Sequence, residues 1–221
     1  MTIFIEWVKN RIRKGFSPII LIVGKQRIGK TCLGLRLSYE IDRNFDCDKQ
    51  LFFEVRQFAK SVRKYDNKVL LLDEAGIELD SYRYSDARQR CFSHIVQSQA
   101  YKQNTLFIVL PHSSDLAKCH RKYVDALIVV MGRGTYTMYK PSVPYWDMND
   151  IDFRTKKIEI VIDVPLPPDH IFNAYKNKFE KQVKEGIIDA EIDRLDKFLE
   201  KAKGKKAIEI PVMASQDVSS K

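Results

Sequence analysis

The sequence is poor in the features that staple a small protein together or anchor it in a bilayer. Only four of its 221 residues are cysteine, at positions 32, 47, 91 and 119, and no two form a CxxC pair. That excludes a disulfide framework and a zinc ribbon. Cys91 and His94 lie three apart and Cys119 and His120 are adjacent, but adjacent residues on a helix diverge and do not converge on one ion. Nine glycines exclude a collagen. No apolar run approaches the roughly 18 residues that span a bilayer; the longest are Pro18 to Val23, Val69 to Leu72 and Leu106 to Pro111. The opening MTIFIEWVKNRIRK has its charge after its apolar residues and lacks the h-region of a signal peptide, so a cytoplasmic protein is expected. There is no internal repeat. Against these absences stand a 44% hydrophobic fraction, enough for a core, and 38 basic against 29 acidic residues, a net charge of +9.

Ile3, Phe4, Trp7, Val8 and Ile12 fall at helical spacing and predict a short amphipathic helix, basic at its end and stopped by Gly15. Its apolar face suits packing on a sheet; a DNA or membrane-surface contact is the other reading. Apolar strands are predicted at Ile19–Val23, Lys68–Leu72, Thr105–Leu110 and Ala126–Met131, with a shorter one at Leu51–Val55. Helices are predicted between them at Leu33–Ile41, Gln57–Lys64, from Ser85 or Asp86 to about Lys102, and from Ser114 or Asp115 to about Tyr123. Asn44–Lys49 reads as a polar turn. Alternating apolar strands and helices predict an α/β fold, a mostly parallel sheet with helices on both faces. Gly132-Arg133-Gly134 reads as a turn into Thr135–Tyr139. Beyond it, Ile158–Val164 alternates like an edge strand, and Asp169 to about Lys203 reads as a charged helix broken near Gly186. The expected organisation is an α/β core with its N-terminal amphipathic helix over 1–140, a strand and charged helix over 141–204, and a flexible tail over 205–221.

Gly24-Lys25-Gln26-Arg27-Ile28-Gly29-Lys30-Thr31 matches G-x-x-x-x-G-K-[ST] at every fixed position, between a predicted strand and a predicted helix. Its glycines let the backbone turn its N–H groups inward onto phosphate. The following helix, through Cys32, adds its unpaired N–H groups. Lys30 is placed for the β- and γ-phosphates of ATP and Thr31 for Mg²⁺. The second motif, Val69-Leu70-Leu71-Leu72-Asp73-Glu74, puts a carboxylate at the end of a buried strand. Asp73 is the second candidate for the Mg²⁺ shell, and Glu74 the candidate that orients and polarises a water for in-line attack. Third, Tyr82-Arg83-Tyr84 with Arg88 and Arg90 interleaves aromatic and basic residues, a pattern suited to nucleic acid: arginine pairs with phosphate and tyrosine stacks on bases. Arg83, Arg88, Arg90 and Arg121 are also candidates for a finger reaching a neighbouring subunit's γ-phosphate, with Arg133 a further one.

The order of these elements resembles the additional-strand, catalytic-glutamate division of P-loop NTPases. That resemblance implies that the Thr105–Leu110 strand lies between the P-loop strand and the Asp73 strand. It also implies a polar sensor at that strand's end, where His112 is the first candidate and Ser113 the second; a helix cap is the alternative role. More closely, GKQRIGKT, VLLLDEAG, the segment ending HIVQSQAYKQN, and TLFIVLPHSSDL resemble the FtsK/HerA-like ATPases. The likeness is nearest to the small zonular-occludens-toxin-like and viral or plasmid genome-packaging members, over about Gly15 to Met131. Larger members usually carry glutamine where Pro111-His112 stands here. The resemblance implies an ATP- and Mg²⁺-dependent motor that moves DNA as a homo-oligomeric ring, pentamer or hexamer, with a capsid or membrane-associated partner. A nucleoside-type kinase and an ATP-gated assembly factor are the competing functions.

Overall fold

The computed structural model describes residues 2–73, 94–96, 99–116, 118–142, 154–180, 192 and 195–196. Glu74, Tyr82, Arg83, Tyr84, Arg88 and Arg90 lie outside them, as do the predicted helix start at Ser85, the break at Gly186 and the tail. The chain divides into two compact units, Met1–Lys178 and Phe179–Lys221. Among the described residues no helix is long and apolar enough to cross a membrane.

The first unit is built on a seven-stranded sheet. In chain order its elements are α1 (Thr2–Arg13), β1 (Ile19–Val23), α2 (Lys30–Ile41), α3 (Cys47–Gln50), β2 (Leu51–Phe52), α4 (Val55–Lys64), β3 (Val69–Leu72), β4 (Thr105–Leu110), α5 (Lys118–Arg121), β5 (Ala126–Gly132), β6 (Thr135–Ser142), β7 (Arg154–Val161) and α6 (Asp169–Phe179). Two 3₁₀ turns, Gln99–Lys102 and Ser113–Asp115, flank β4. The strand order is β2-β3-β4-β1-β5-β6-β7. The first five are parallel and the last two antiparallel. β4 therefore does lie between the P-loop strand and the Asp73 strand.

Strand side chains alternate between faces, and here both faces are dry. Ile20, Ile22, Leu71, Phe107, Val109 and Ile128 join one buried cluster with Phe4 and Val8 of α1 and Leu33 and Leu37 of α2. Ile19, Leu21, Val23, Leu70, Leu72, Leu106 and Ile108 join the other with Val55, Phe58 and Val62 of α4. This is why the strands read as unbroken apolar runs rather than alternating ones. α1 thus packs its apolar face into the core. Its Arg11 donates to Asp125 Oδ1 at 2.6 Å, and Asp125 Oδ2 accepts from the Ile19 N–H at 3.0 Å, tying the helix to the start of β1.

Several boundaries differ from the sequence expectation. The short strand at Leu51 ends at Phe52, because Val55, Phe58 and Val62 form a helical face that buries under the sheet. The helix expected from Ser114 to Tyr123 is instead a 3₁₀ turn and the four-residue α5, with Leu116 buried between them. The expected turn at Asn44–Lys49 contains the start of α3, capped by Asp46, whose side chain accepts from the Asp48 N–H. β7 occupies Arg154–Val161, earlier than the expected Ile158–Val164.

Candidate active site

The two motifs meet at the carboxyl end of the parallel strands, where open α/β sheets place their ligands. β1 ends at Val23 and the chain turns through Gly24 to Gly29 into α2. Arg27 (φ 60°) and Gly29 (φ 103°) both adopt left-handed backbone, the alternation that turns successive N–H groups to one side. Gly29 is the N-cap of α2 and offers no side-chain cap, so the first-turn N–H groups face the loop's concavity, where a phosphate is the natural acceptor. Gly24 has no room for a side chain: a Cβ there would stand 2.9 Å from the Val130 carbonyl oxygen and 3.2 Å from Ile28 Cγ2. Gly34 in turn lets α2 lie close on the sheet, since its Cβ would meet Leu71 Cδ1 at 3.2 Å.

Lys30 Nζ donates to the Lys25 carbonyl at 2.9 Å, which keeps the ammonium over the loop. Thr31 Oγ1 donates to Asp73 Oδ2 at 2.9 Å across 42 residues of sequence. Asp73 is almost fully buried, and its N–H donates to the Phe52 carbonyl at 2.8 Å. Cys32 follows Thr31. Burial chiefly, and then the nearby Asp73 charge, push its thiol upward, against weaker opposing effects that include Arg133 and Lys176. The upward shift favours the protonated thiol over the nucleophilic thiolate.

His112 stands at the end of β4, next to the P-loop: the Gly24 N–H donates to the Pro111 carbonyl at 3.2 Å. It is also a helix cap. Its Nδ1 accepts from the Ser114 N–H at 3.2 Å, and its own N–H donates to Asp115 Oδ2 at 2.8 Å. Nδ1 also stands 2.7 Å from Ser114 Oγ; in the tautomer in which Nδ1 accepts, Nε2 carries the proton and is a hydrogen-bond donor. Arg121, a finger candidate from the sequence, is buried. Its Nε donates to the Leu116 carbonyl at 2.8 Å and its guanidinium to the Ser114 carbonyl at 3.2 Å, so it braces the turn that carries His112. Sequence reasoning had no means to see this, because the partners are backbone oxygens. Nor did it separate Arg133 from the other arginines. That residue sits in the β5–β6 turn, and only the sheet order brings β5 beside β1.

A cleft of about 550 Å³ opens elsewhere, lined by Lys9, Arg13, Asp42, Lys68 and Thr105 among others, at the opposite end of the strands. It takes no part in this site.

No protein-family model matches the chain, and no curated protein matches it. Solved structures similar to it include the genome packaging NTPase B204 from Sulfolobus turreted icosahedral virus 2 in complex with ATP-gammaS. That likeness has 11% identity and a TM-score of 0.46, covering 67% of this chain and 98% of that one. The N-terminal domain of zonular occludens toxin from Neisseria meningitidis is similar at 14% identity and a TM-score of 0.44, covering 72% of this chain and 98% of that one. The AAA domain of FIGL-1 is similar at 14% identity and a TM-score of 0.41, covering 57% and 48%. With its glycine loop between β1 and α2, its aspartate at the end of β3 and β4 inserted between those strands, the chain has the fold of a P-loop NTPase of the additional-strand type.

Proposed function

We propose that this protein is a Mg²⁺-dependent ATPase that works as an oligomeric DNA-translocating motor, packaging or transferring the genome of a virus or mobile element. The observation that carries the ATPase reading is the 2.9 Å hydrogen bond between Thr31 and Asp73 beside the P-loop lysine. A hydroxyl and a carboxylate are hard oxygen donors that fit Mg²⁺. Thr31 would hold the ion directly and Asp73 through its water shell; bound there, the ion neutralises charge on the phosphate oxygens. The P-loop N–H groups and Lys30 bind the β- and γ-phosphates. Glu74, next in the chain after Asp73, orients the attacking water. His112 offers its Nε2–H to the γ-phosphate as the sensor.

Two features favour a motor over a kinase. A strand separates β1 from β3, and the metal-linked aspartate is followed by a glutamate, which transfer to a bound hydroxyl does not require. A P-loop subunit also needs a cation opposite the γ-phosphate. With Arg121 engaged in its own subunit, the proposed finger is Arg83, Arg88 or Arg90, supplied by a ring neighbour. The +9 charge is concentrated at the ends: residues 1–15 carry +3 and residues 201–221 another +3. With Tyr82 and Tyr84 beside the arginine cluster, this composition favours salt-sensitive, sequence-tolerant DNA binding.

The test is ATP turnover measured alone, with DNA and with nucleosides, over a range of protein concentrations. The motor reading expects stimulation by DNA and specific activity that rises with concentration. Phosphate transfer to a nucleoside would make the protein a kinase. Slow turnover indifferent to both DNA and concentration would make it an assembly factor.

A further inference from the structure

The two flanks of β1 differ at the carboxyl end of the sheet. On one side lie β4 and β3, carrying Pro111, His112 and Asp73. Thr31 turns toward that side to reach Asp73, so the metal and the γ-phosphate belong there. The rest of a nucleoside triphosphate must then extend from the P-loop toward the other flank, formed by β5. That flank touches the loop directly: Val23 pairs with Val129, and the Val130 carbonyl oxygen stands 2.9 Å from where a Gly24 Cβ would be.

Three residues past Val130 the chain presents Arg133, exposed at the tip of the two-residue turn between Gly132 and Thr135. The turn is held in place. Gly134 has φ +73° and leaves only 3.2 Å between a built Cβ and the Val164 oxygen, and its carbonyl accepts from the Val164 N–H at 2.9 Å. Among the described residues Arg133 has no ion pair.

We infer that Arg133 is a nucleotide-binding residue acting within its own subunit, its guanidinium contacting the α-phosphate on the β5 flank of the P-loop. The inference rests on the ATPase reading and adds to it a division of labour. Lys30 serves the β- and γ-phosphates, Arg133 the α-phosphate. A guanidinium suits this place because it stays charged and offers paired donors to phosphate oxygens. Arg133 is thereby removed from the set of fingers acting on a neighbour.

The division is tested by titrating adenosine, AMP, ADP and a non-hydrolysable ATP analogue into the full chain and into its Arg133→Ala, Arg133→Lys and Lys30→Ala variants. Arg133→Ala is expected to weaken AMP, ADP and the ATP analogue alike, by about tenfold, and to leave adenosine unchanged. Arg133→Lys should recover part of the loss. Lys30→Ala should weaken ADP and the ATP analogue while sparing AMP. The inference is overturned if Arg133→Ala leaves AMP binding intact, if it affects only the ATP analogue, or if adenosine is weakened equally. Failure of the unaltered chain to bind any of the phosphates would overturn the ATPase reading itself. Arg133 is exposed, so the variants should melt with the parent; a variant that does not is replaced by Arg133→Gln.

Discussion

The parallel and antiparallel halves of the sheet are built on different terms. β1, β3 and β4 are covered on both faces, and every residue of these strands is buried. β6 and β7 continue the same sheet, but β7 is an edge strand whose Ile158 and Ile160 are substantially exposed, as is Ile162 just beyond it. The parallel half carries the P-loop and Asp73. The antiparallel half contributes a turn that comes to lie beside them. The contrast teaches that the motif residues here are anchored to strands covered on both faces, while cover is lost only at the far edge, on β7, since Tyr136, Thr137 and Met138 of β6 are still buried.

The largest effect expected from breaking the parallel half's chemistry is on turnover. Glu74→Gln should retain ATP binding and slow hydrolysis by about 10² to 10⁴, the range for loss of a general base. Steady-state hydrolysis with a parallel binding titration checks both parts, and unchanged turnover would remove Glu74 from the mechanism.

Next come the packing differences. Leu21 is fully buried in β1, between Ile108 of β4 and Leu127 of β5. Leu21→Ala should cost about 2–5 kcal/mol in denaturant unfolding, from lost burial and the cavity left behind. Acid should also cost the parallel half stability through His120, which burial, helped by Lys122, depresses to about 4. The unfolded chain takes up this proton near pH 6.5 and the folded chain only near 4. Stability is therefore full above about pH 6.5 and falls as pH drops toward 4, by about 3 kcal/mol at most. Comparing the pH dependence of unfolding with that of His120→Gln isolates this contribution; identical slopes would assign the acid sensitivity elsewhere.

The smallest effect belongs to the edge. Ile160→Thr, on the exposed face of β7 and still β-branched, should change stability by no more than about 0.5 kcal/mol. A loss comparable to that of Leu21→Ala would show that the exposed face is covered in solution and would erase the contrast between the halves.

Much of this was legible in the residues themselves. Ile19–Val23, Val69–Leu72 and Thr105–Leu110 announced buried strands because a strand covered on both faces has no polar side to show. Gly24 to Thr31 announced a phosphate loop because its glycines, lysine and threonine act through local backbone geometry. The resemblance also anticipated where β4 would lie. Other features depend on what the folded chain brings together, and no local pattern encodes them. Thr31 and Asp73 meet across 42 residues only because β4 leaves the ends of β1 and β3 on one rim. Arg121, on sequence a cation like any other, is spent on two carbonyls of the turn that carries His112. Arg133 comes to the same end of the sheet as the P-loop only because β5 is the neighbour of β1. Spacing along the chain determines which residues share an element; only the packed sheet decides which elements share a site.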